Sequence, residues 1–166
     1  VDPYFIVAKA PETAKIINMA REINTSMPYY VVENVKKLMA KKNGKTITVF
    51  GLTYKGNVDD IRESPALEIY ELLKSTGNYE VRAFDPHVDQ DWVINDIEVA
   101  TKNSDLILIL TDHNEFKQLD YNLLASMSTK QIFDTKNVVL NRESDFNYIN
   151  FGNLSKFVNE KDVTLV

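Results

Sequence analysis

The chain has 166 residues, of which 44% are hydrophobic and 26% are charged, so it can form one hydrophobic core of domain size. Its net charge of −5 argues against a nucleic-acid partner, because binding to a phosphate backbone depends on clustered Lys and Arg. It contains no cysteine, which excludes a disulfide framework, a thiolate metal site and a cysteine nucleophile in this chain. With two histidines far apart in sequence, we expect no metal site.

The sequence also contains no candidate membrane segment. No apolar run approaches the roughly 18 residues that cross a bilayer, and no basic segment followed by an apolar core opens the chain. We therefore expect a cytoplasmic protein with no membrane partner.

Residues 1–43 predict a long α-helical segment. Apolar residues recur at helical spacing from Pro11 to about Lys42. Pro28 leaves two alternatives, a second helix that is capped by Ser26 or a kink in one long helix. The lysines and Gly44 of "KKNGK" then close the helix. Because these apolar stripes need a partner surface, we expect them to pack on another domain or on a second copy of the chain.

Strands and helices alternate in residues 44–166. The predicted strands are "TITVFGL", "YEVRAFD", "DLILIL", "KQIFD" and "NYINFG", with a helix over "SPALEIYELLKSTG" and helical turns in "NEFKQLDYNLLASM". The run "DLILIL" is typical of a strand that is buried on both faces of a parallel sheet. The pattern predicts an α/β fold, a Rossmann-like doubly wound parallel sheet that follows the helical segment. The tail from about Leu154 has too weak a pattern to assign.

The loops that follow the strands are expected to share one rim of the sheet. Ligands of such sheets bind beyond the carboxyl ends of the strands. The strands end in "GLTYK", "FDPH", "LTDH" and "FDTKN". This placement makes Lys55, Arg62 and Lys136 candidate positive groups around one crevice of an acidic protein. Such a crevice suits a phosphorylated small molecule.

The segment "FGLTYKGNVDDIRESPA" is not a standard dinucleotide fingerprint, because Gly51 and Gly56 have no third glycine after them. Ser64 and Pro65 predict a capped helix start, and a capped end that points into the crevice still offers N–H groups to an anion. We interpret Asp59 and Asp60 as residues that order the loop or pair with arginine rather than as a catalytic acid pair.

Three further residues near the strand ends have alternative interpretations. Asp85 occupies the position at which a Rossmann fold binds a ribose, but Pro86 and the missing glycine weaken a dinucleotide interpretation. We interpret His87 and His113 as rim or turn residues rather than as ligands.

Four motifs together are more specific than any one of them: "GLTYKGNVDDIRESPALEI", "FDPHV", "DLILILTDH" and "FDTKN". They resemble the UDP-binding domain of the UDP-glucose/GDP-mannose dehydrogenase family, and the resemblance extends from Val1 to about Gly152. Within that family, the amino-acid sequence is most similar to the UDP-N-acetyl-D-mannosamine branch. The resemblance implies an NAD-dependent enzyme that oxidises the C6 alcohol of a UDP-sugar to a carboxylate for polysaccharide biosynthesis. NAD and the catalytic cysteine then belong to a preceding region, so we expect this chain to bind UDP without turnover.

The resemblance also implies roles for individual residues. Asp2 matches the aspartate that follows the catalytic cysteine and assists water and proton transfers. Tyr54 and Lys55 match an aromatic-lysine pair at the substrate pyrophosphate, and Arg62 matches an arginine that reaches toward NAD. Lys136 replaces a substrate-binding arginine and keeps its charge without its two-pronged geometry. The helices of residues 1–43 correspond to a homodimer interface, and residues 44–166 to the UDP-sugar-binding domain.

Two other functions remain open on the sequence alone. The first is a free-standing nucleotide-binding or dimerisation module that has no catalytic half. The second is a phospho-receiver-like domain with acidic residues at strand ends, although the Lys55 loop and the Ser-Pro helix start do not match that pattern. The sequence upstream of Val1 discriminates between the enzyme and the free-standing module.

Overall fold

The structure is a computed structural model that describes residues 2–158, with side chains described from Phe5 onward. The helices are α1 (Asp2–Lys9), α2 (Lys15–Lys42), α3 (Pro65–Ser75) and α4 (Ile97–Thr101), with short 3-10 helices at Asn114–Lys117 and Leu154–Lys156. The strands are β1 (Thr46–Phe50), β2 (Glu80–Phe84), β3 (Leu106–Ile109), β4 (Gln131–Asp134) and β5 (Asn147–Ile149).

The five strands form one parallel sheet in the order β2-β1-β3-β4-β5. This arrangement confirms the predicted α/β fold with a doubly wound parallel sheet after a helical segment. The chain moves outward from β1 to β2 and then returns to the other side of β1 to form β3. The topological switch point therefore lies between β1 and β3, where ligands of such sheets bind.

Alternate residues of each strand supply two separate cores, one on each face of the sheet. On one face α2 and α3 pack against Ile47 and Val49 of β1 and their neighbours. On the other face Phe50 and Ile107 pack with Phe116 and with residues around α4. All four residues of β3 are buried, as its apolar run predicted.

Helix α2 is a single helix that continues through Pro28, which settles the alternative left open by the sequence. Ser26 does not cap a second helix, because its hydroxyl donates to the carbonyl of Ile23 within the same helix. At the C-terminal end, Asn43 and not Gly44 adopts the left-handed conformation, and the Gly44 N–H donates to the Met39 carbonyl.

The two halves of α2 have different surroundings. Its C-terminal half contributes Val35 and Leu38 to the sheet core. Its N-terminal half exposes apolar side chains, including Ile16 at 85%, Met19 at 63% and Ile23 at 53% of their surface.

Across the described residues, none of the helices combines the length and apolar character that a bilayer crossing requires. The boundary between residues 1–43 and 44–166 stays a prediction.

Candidate functional site

The loops after β1 and β3 pack tightly at the switch point, and this close approach explains both glycines of "FGLTYKG". Gly51 has a φ of 85°, and a Cβ there would lie 2.5 Å from the Cβ of Thr111. At Gly56 a Cβ would lie 2.5 Å from the carbonyl oxygen of Asp112. The glycines therefore let one loop contact the other, and a third glycine has no part in this arrangement.

The backbone of residues 52–57, which we call the Lys55 loop, is anchored by hydrogen bonds along its length. Its backbone groups bond to side chains of the loop after β3, to Asp85 and to the Thr53 side chain within the Lys55 loop itself. The bonds run from Leu52 N to Asp85 Oδ2 (2.7 Å), Thr111 Oγ1 to the Thr53 carbonyl (3.1 Å), Thr53 Oγ1 to the Lys55 carbonyl (2.7 Å), Gly56 N to Asp112 Oδ1 (3.1 Å) and Asn57 N to His113 Nδ1 (2.9 Å).

The side chains of Tyr54 and Lys55 point away from this anchored backbone into solvent. Tyr54 is 56% exposed, and Lys55 is exposed as well. Within residues 2–158, Lys55 forms none of the observed salt bridges. Because the backbone of the loop is already fixed, an anion that binds Lys55 has to order only the lysine side chain and not the loop.

Asp85 is a buried structural carboxylate and not a ribose ligand. Its Oδ2 accepts from Leu52 N and from His113 Nε2 at 3.1 Å, and its Oδ1 accepts from His87 N at 2.9 Å. Burial favours the neutral acid, but the hydrogen bonds from His113, Leu52 and His87 outweigh it and lower the pKa of Asp85. With both oxygens engaged inside the protein, Asp85 cannot reach a ribose hydroxyl.

Arg62 and Asp60 form an exposed pair at the end of the long loop after β1. The Nε and NH2 groups of Arg62 donate to the two Asp60 carboxylate oxygens at 2.9 and 2.8 Å. The side-chain hydrogen bond from Arg62 lowers the pKa of Asp60 to about 2. Asp60 therefore pairs with arginine, as expected of a loop aspartate. The Arg62 side chain is 86% exposed, and the hydrogen bonds to Asp60 leave its NH1 group available for a further acceptor.

The start of α3 is capped as predicted, but it does not offer free N–H groups to an anion. Ser64 Oγ accepts from Ala66 N at 3.1 Å and from Leu67 N at 3.4 Å. Pro65 has no N–H, and Glu68 N donates to the Ser64 carbonyl. The helix end is therefore satisfied internally, which corrects the expectation that it is an anion site.

Lys136 lies on the loop after β4, which a second strand-ending aspartate orders. Both oxygens of the buried Asp134 accept backbone hydrogen bonds, from Lys136 N and Val139 N at 3.0 Å each, and Tyr148 donates its hydroxyl to the same carboxylate. Burial, together with the hydrogen bond to Asp134, raises the pKa of Tyr148. The Lys136 side chain is exposed and lines a cleft of about 270 Å³ that also includes Pro65 at the start of α3.

The structure therefore places the three predicted positive residues along one rim, on two loops. Lys55 follows β1 and Lys136 follows β4, with β3 between these two strands. Arg62 lies farther along the loop that carries Lys55. The side chain of Asp2 falls outside the described residues.

Sequence reasoning named Asp85 and His113 but missed their part in holding the rim together, and it did not single out Asp134. Asp85, His113 and Asp134 are each 0% exposed, and their partners are between 2 and 60 residues away in sequence. His113 in particular is not a rim or turn residue but part of the buried interior. One signal was available, since the dipeptide Phe-Asp occurs at the carboxyl ends of both β2 and β4, as Phe84-Asp85 and Phe133-Asp134.

His87, His113 and Glu115 lie close enough together to suggest a metal site, with their potential ligand atoms within 4.8 Å of one another. The hydrogen bonds of His113 exclude that role. Its Nδ1 accepts from Asn57 N and its Nε2 donates to Asp85, so neither nitrogen has a lone pair for a metal ion.

An open parallel sheet with the Lys55 loop at its switch point defines an α/β domain of the Rossmann-like class. The chain belongs to the UDP-glucose/GDP-mannose dehydrogenase family, whose UDP binding domain model matches residues 48–142.

Curated relatives of the chain resemble it in sequence over most of its length. The chain is 45% identical over 148 residues to a UDP-N-acetyl-D-mannosamine dehydrogenase of Methanocaldococcus jannaschii, a match covering 86% of this chain and 34% of the relative. It is 37% identical to an NDP-N-acetyl-D-galactosaminuronic acid dehydrogenase of Ralstonia nicotianae, covering 82% and 33%. The chain thus spans about a third of the length of these curated relatives.

Two solved structures show the same fold over most of the chain. The UDP-N-acetyl-mannosamine dehydrogenase Cap5O of Staphylococcus aureus superposes with a TM-score of 0.90 at 54% identity, covering 95% of this chain and 38% of that one. The UDP-D-ManNAc dehydrogenase of Pyrococcus horikoshii gives a TM-score of 0.81 at 34% identity, with 91% and 37% covered.

Proposed function

We propose that this chain is the UDP-binding part of an NAD-dependent UDP-N-acetyl-D-mannosamine 6-dehydrogenase, which oxidises the C6 alcohol of its substrate to a carboxylate. The observation that carries the proposal is the Lys55 loop, an anchored backbone at the switch point whose lysine forms no salt bridge with the other residues that the structure describes. Membership of the family and the names of the relatives support the substrate class. The product supplies a surface or capsular polysaccharide, and we place the enzyme in the cytoplasm.

The proposed role of the chain is to bind the diphosphate of the substrate. Lys55 contributes a positive charge to the pyrophosphate and Tyr54 packs beside it. Lys136 adds a second charge from the loop after β4. Binding energy gathered at the diphosphate is remote from C6, and such remote binding positions the reacting carbon without entering the chemistry.

NAD is the hydride acceptor in this proposal and binds mainly to a region outside this chain. The residue here that fits a contact with it is Arg62, because the Asp60 pair fixes its guanidinium and leaves NH1 exposed. Asp2 is proposed to assist proton transfer beside the catalytic cysteine of the preceding region.

The proposed quaternary partner is a second copy of the chain. The N-terminal half of α2 exposes Ile16, Met19 and Ile23, and α1 exposes Phe5 and Ile6 at 64% and 50% of their surface. Apolar side chains of this size on one helical region are a candidate interface. We propose a homodimer through these helices.

Calorimetric titration with UDP, UDP-N-acetylmannosamine and NAD tests the proposal. We expect measurable binding of UDP, weak discrimination between UDP and the UDP-sugar, little affinity for NAD and no turnover by this chain alone. Strong binding of NAD with no binding of UDP contradicts the proposal. Binding of UDP by a chain that is complete in its organism favours instead the free-standing nucleotide-binding module.

A further inference from the structure

His113 is a buried histidine to which the proposed substrate site assigns no role. It is 0% exposed and lies between two groups that belong to different loops. Its Nε2 is 3.1 Å from Asp85 Oδ2, and its Nδ1 accepts the backbone N–H of Asn57 at 2.9 Å. The ring also packs edge-on against Phe116 with ring centroids 5.3 Å apart, which fixes its orientation.

The hydrogen bonds define the protonation state of this ring. A nitrogen that accepts an N–H hydrogen bond carries no proton, so Nδ1 is bare. The proton is therefore on Nε2, where it faces the Asp85 carboxylate and, at 3.3 Å, the Thr53 hydroxyl. His113 is a neutral imidazole in a single tautomer, selected by its two partners.

The same two residues hold both ends of the Lys55 loop. Asp85 accepts the N–H of Leu52, the first residue of the loop, and His113 accepts the N–H of Asn57, the last. Asn57 has a φ of 61°, a left-handed conformation that asparagine adopts more readily than most residues. Removal of the imidazole acceptor leaves this N–H unpaired two residues after Lys55.

The charged groups around the ring come from several elements. Asp85 follows β2, while Asp112 and Glu115 flank His113 in the chain. His87 stacks on the ring with centroids 4.6 Å apart and pairs with Glu115 at 3.2 Å. Within residues 2–158, the observed hydrogen bonds and salt bridges of the His87 side chain go to Glu115 and not to the Lys55 loop. His87 is therefore a matched control for His113.

We propose that His113 is a positioning residue for diphosphate binding, which acts by holding the Lys55 loop through Asn57 while Asp85 holds the imidazole tautomer. This inference rests on the proposed function, because it assumes that Lys55 binds the diphosphate. His113 itself touches no substrate. Its effect is to keep the Lys55 backbone in the geometry that binding requires.

The test compares UDP affinity by calorimetry in His113→Gln, His87→Gln, Lys55→Ala and the double variant His113→Gln with Lys55→Ala. The Gln amide NH2 can replace the Nε2–H donor toward Asp85, but with the NH2 in that position the side chain places no acceptor where Nδ1 binds the Asn57 N–H. We expect His113→Gln to weaken UDP binding by up to about tenfold, the scale of one lost hydrogen bond, and His87→Gln to bind as the wild type does.

The double variant separates positioning from general destabilisation. If His113 acts through Lys55, then His113→Gln changes affinity by less than about twofold once Lys55 is absent, because contacts that form one unit are not additive. Equal losses in both backgrounds overturn the inference. Unchanged affinity in His113→Gln, with a loss in Lys55→Ala, overturns it and leaves the proposed function standing. Absence of UDP binding by the wild type contradicts the proposed function and this inference with it.

Nitrogen-15 NMR of the wild-type chain tests the same inference if His113→Gln does not fold. We expect the His113 resonances of a neutral ring with the proton on Nε2 and a bare Nδ1 at neutral pH, and slow hydrogen exchange at the Asn57 amide. A proton on Nδ1, or an Asn57 amide that exchanges as fast as an exposed loop amide, overturns the inference.

Discussion

At the scale of single residues, two buried aspartates hold the loops of the rim in place through hydrogen bonds to backbone N–H groups. Asp85 directly follows β2 and Asp134 ends β4, and each accepts the backbone N–H of the residue two positions later, His87 and Lys136 respectively. This local bond is the one that turn-forming aspartates make generally. In both cases the second oxygen also binds a residue elsewhere, so one carboxylate fixes its own loop and a neighbouring group.

Asp85 should make stability depend on pH. Because its pKa is lowered in the folded state, it stabilises the fold above its unfolded pKa of about 4, and this contribution is lost as pH falls through the lower, folded pKa. We expect Asp85→Asn to lower the free energy of unfolding by about 1 to 3 kcal/mol at pH 7 and by less at pH 3. Urea unfolding at both pH values measures the difference.

The exposed Asp89 is the control for this prediction. Asp89→Asn is expected to change the free energy of unfolding by less than about 0.5 kcal/mol, as is usual for surface substitutions. A difference between wild type and Asp85→Asn that is as large at pH 3 as at pH 7 contradicts the sign that we assign to Asp85.

At the scale of elements, prediction succeeded where the signal lies inside the element. β3 was evident from an unbroken apolar run, and α3 from its Ser-Pro start and helical stripe. α4 was missed because five residues are too few to show a period, and the cap at Asp96 only becomes visible in the structure. The lysines of the rim were predictable because they follow strands.

The support of those lysines was not predictable, because it depends on contacts between distant segments. Asn57 and His113 are 56 residues apart, and Asp85 and His113 are 28 apart. Sequence periodicity carries no information about which loops meet. The sheet order, which places β1 beside β3, brings these residues together.

Glu63, which precedes the N-cap of α3, has a strained backbone conformation, and a glycine substitution can measure the free energy of that strain. Glu63 has a φ of 53°, in the left-handed region that side chains other than Gly, Asn and Asp adopt at a cost of about 1 to 2 kcal/mol. We expect Glu63→Gly to raise the free energy of unfolding by up to about 1 kcal/mol in urea titrations.

The control for this prediction is Glu71→Gly, at an exposed position within the regular part of α3. Glycine there is expected to lower the free energy of unfolding by about 1 kcal/mol. If Glu63→Gly destabilises the chain as much as Glu71→Gly does, the strain at Glu63 is not relieved by glycine and the prediction is wrong.

At the scale of the whole molecule, the domain has two different surfaces: the polar rim at the carboxyl ends of the strands and the apolar N-terminal half of α2. The proposed homodimer predicts that the second surface controls association. We expect Met19→Glu to shift the sedimentation of the chain toward the monomer, because a charge would be buried in the interface.

Val99→Glu is the matched control for the homodimer. Val99 is 57% exposed on α4, away from α2, so this variant should associate as the wild type does. A wild-type chain that is monomeric at all accessible concentrations, or equal effects of the two variants, contradicts the proposed interface.

The most direct test of the central claim is the UDP affinity of Lys55→Ala against that of Lys42→Ala, measured by calorimetry. Both variants remove one exposed lysine, but Lys42 ends α2 at the opposite edge of the sheet from the rim. We predict that Lys55→Ala weakens UDP binding by about 1.5 to 3 kcal/mol, as expected for a hydrogen bond to a charged group, and that Lys42→Ala leaves it unchanged. Equal affinity of Lys55→Ala and the wild type contradicts the account.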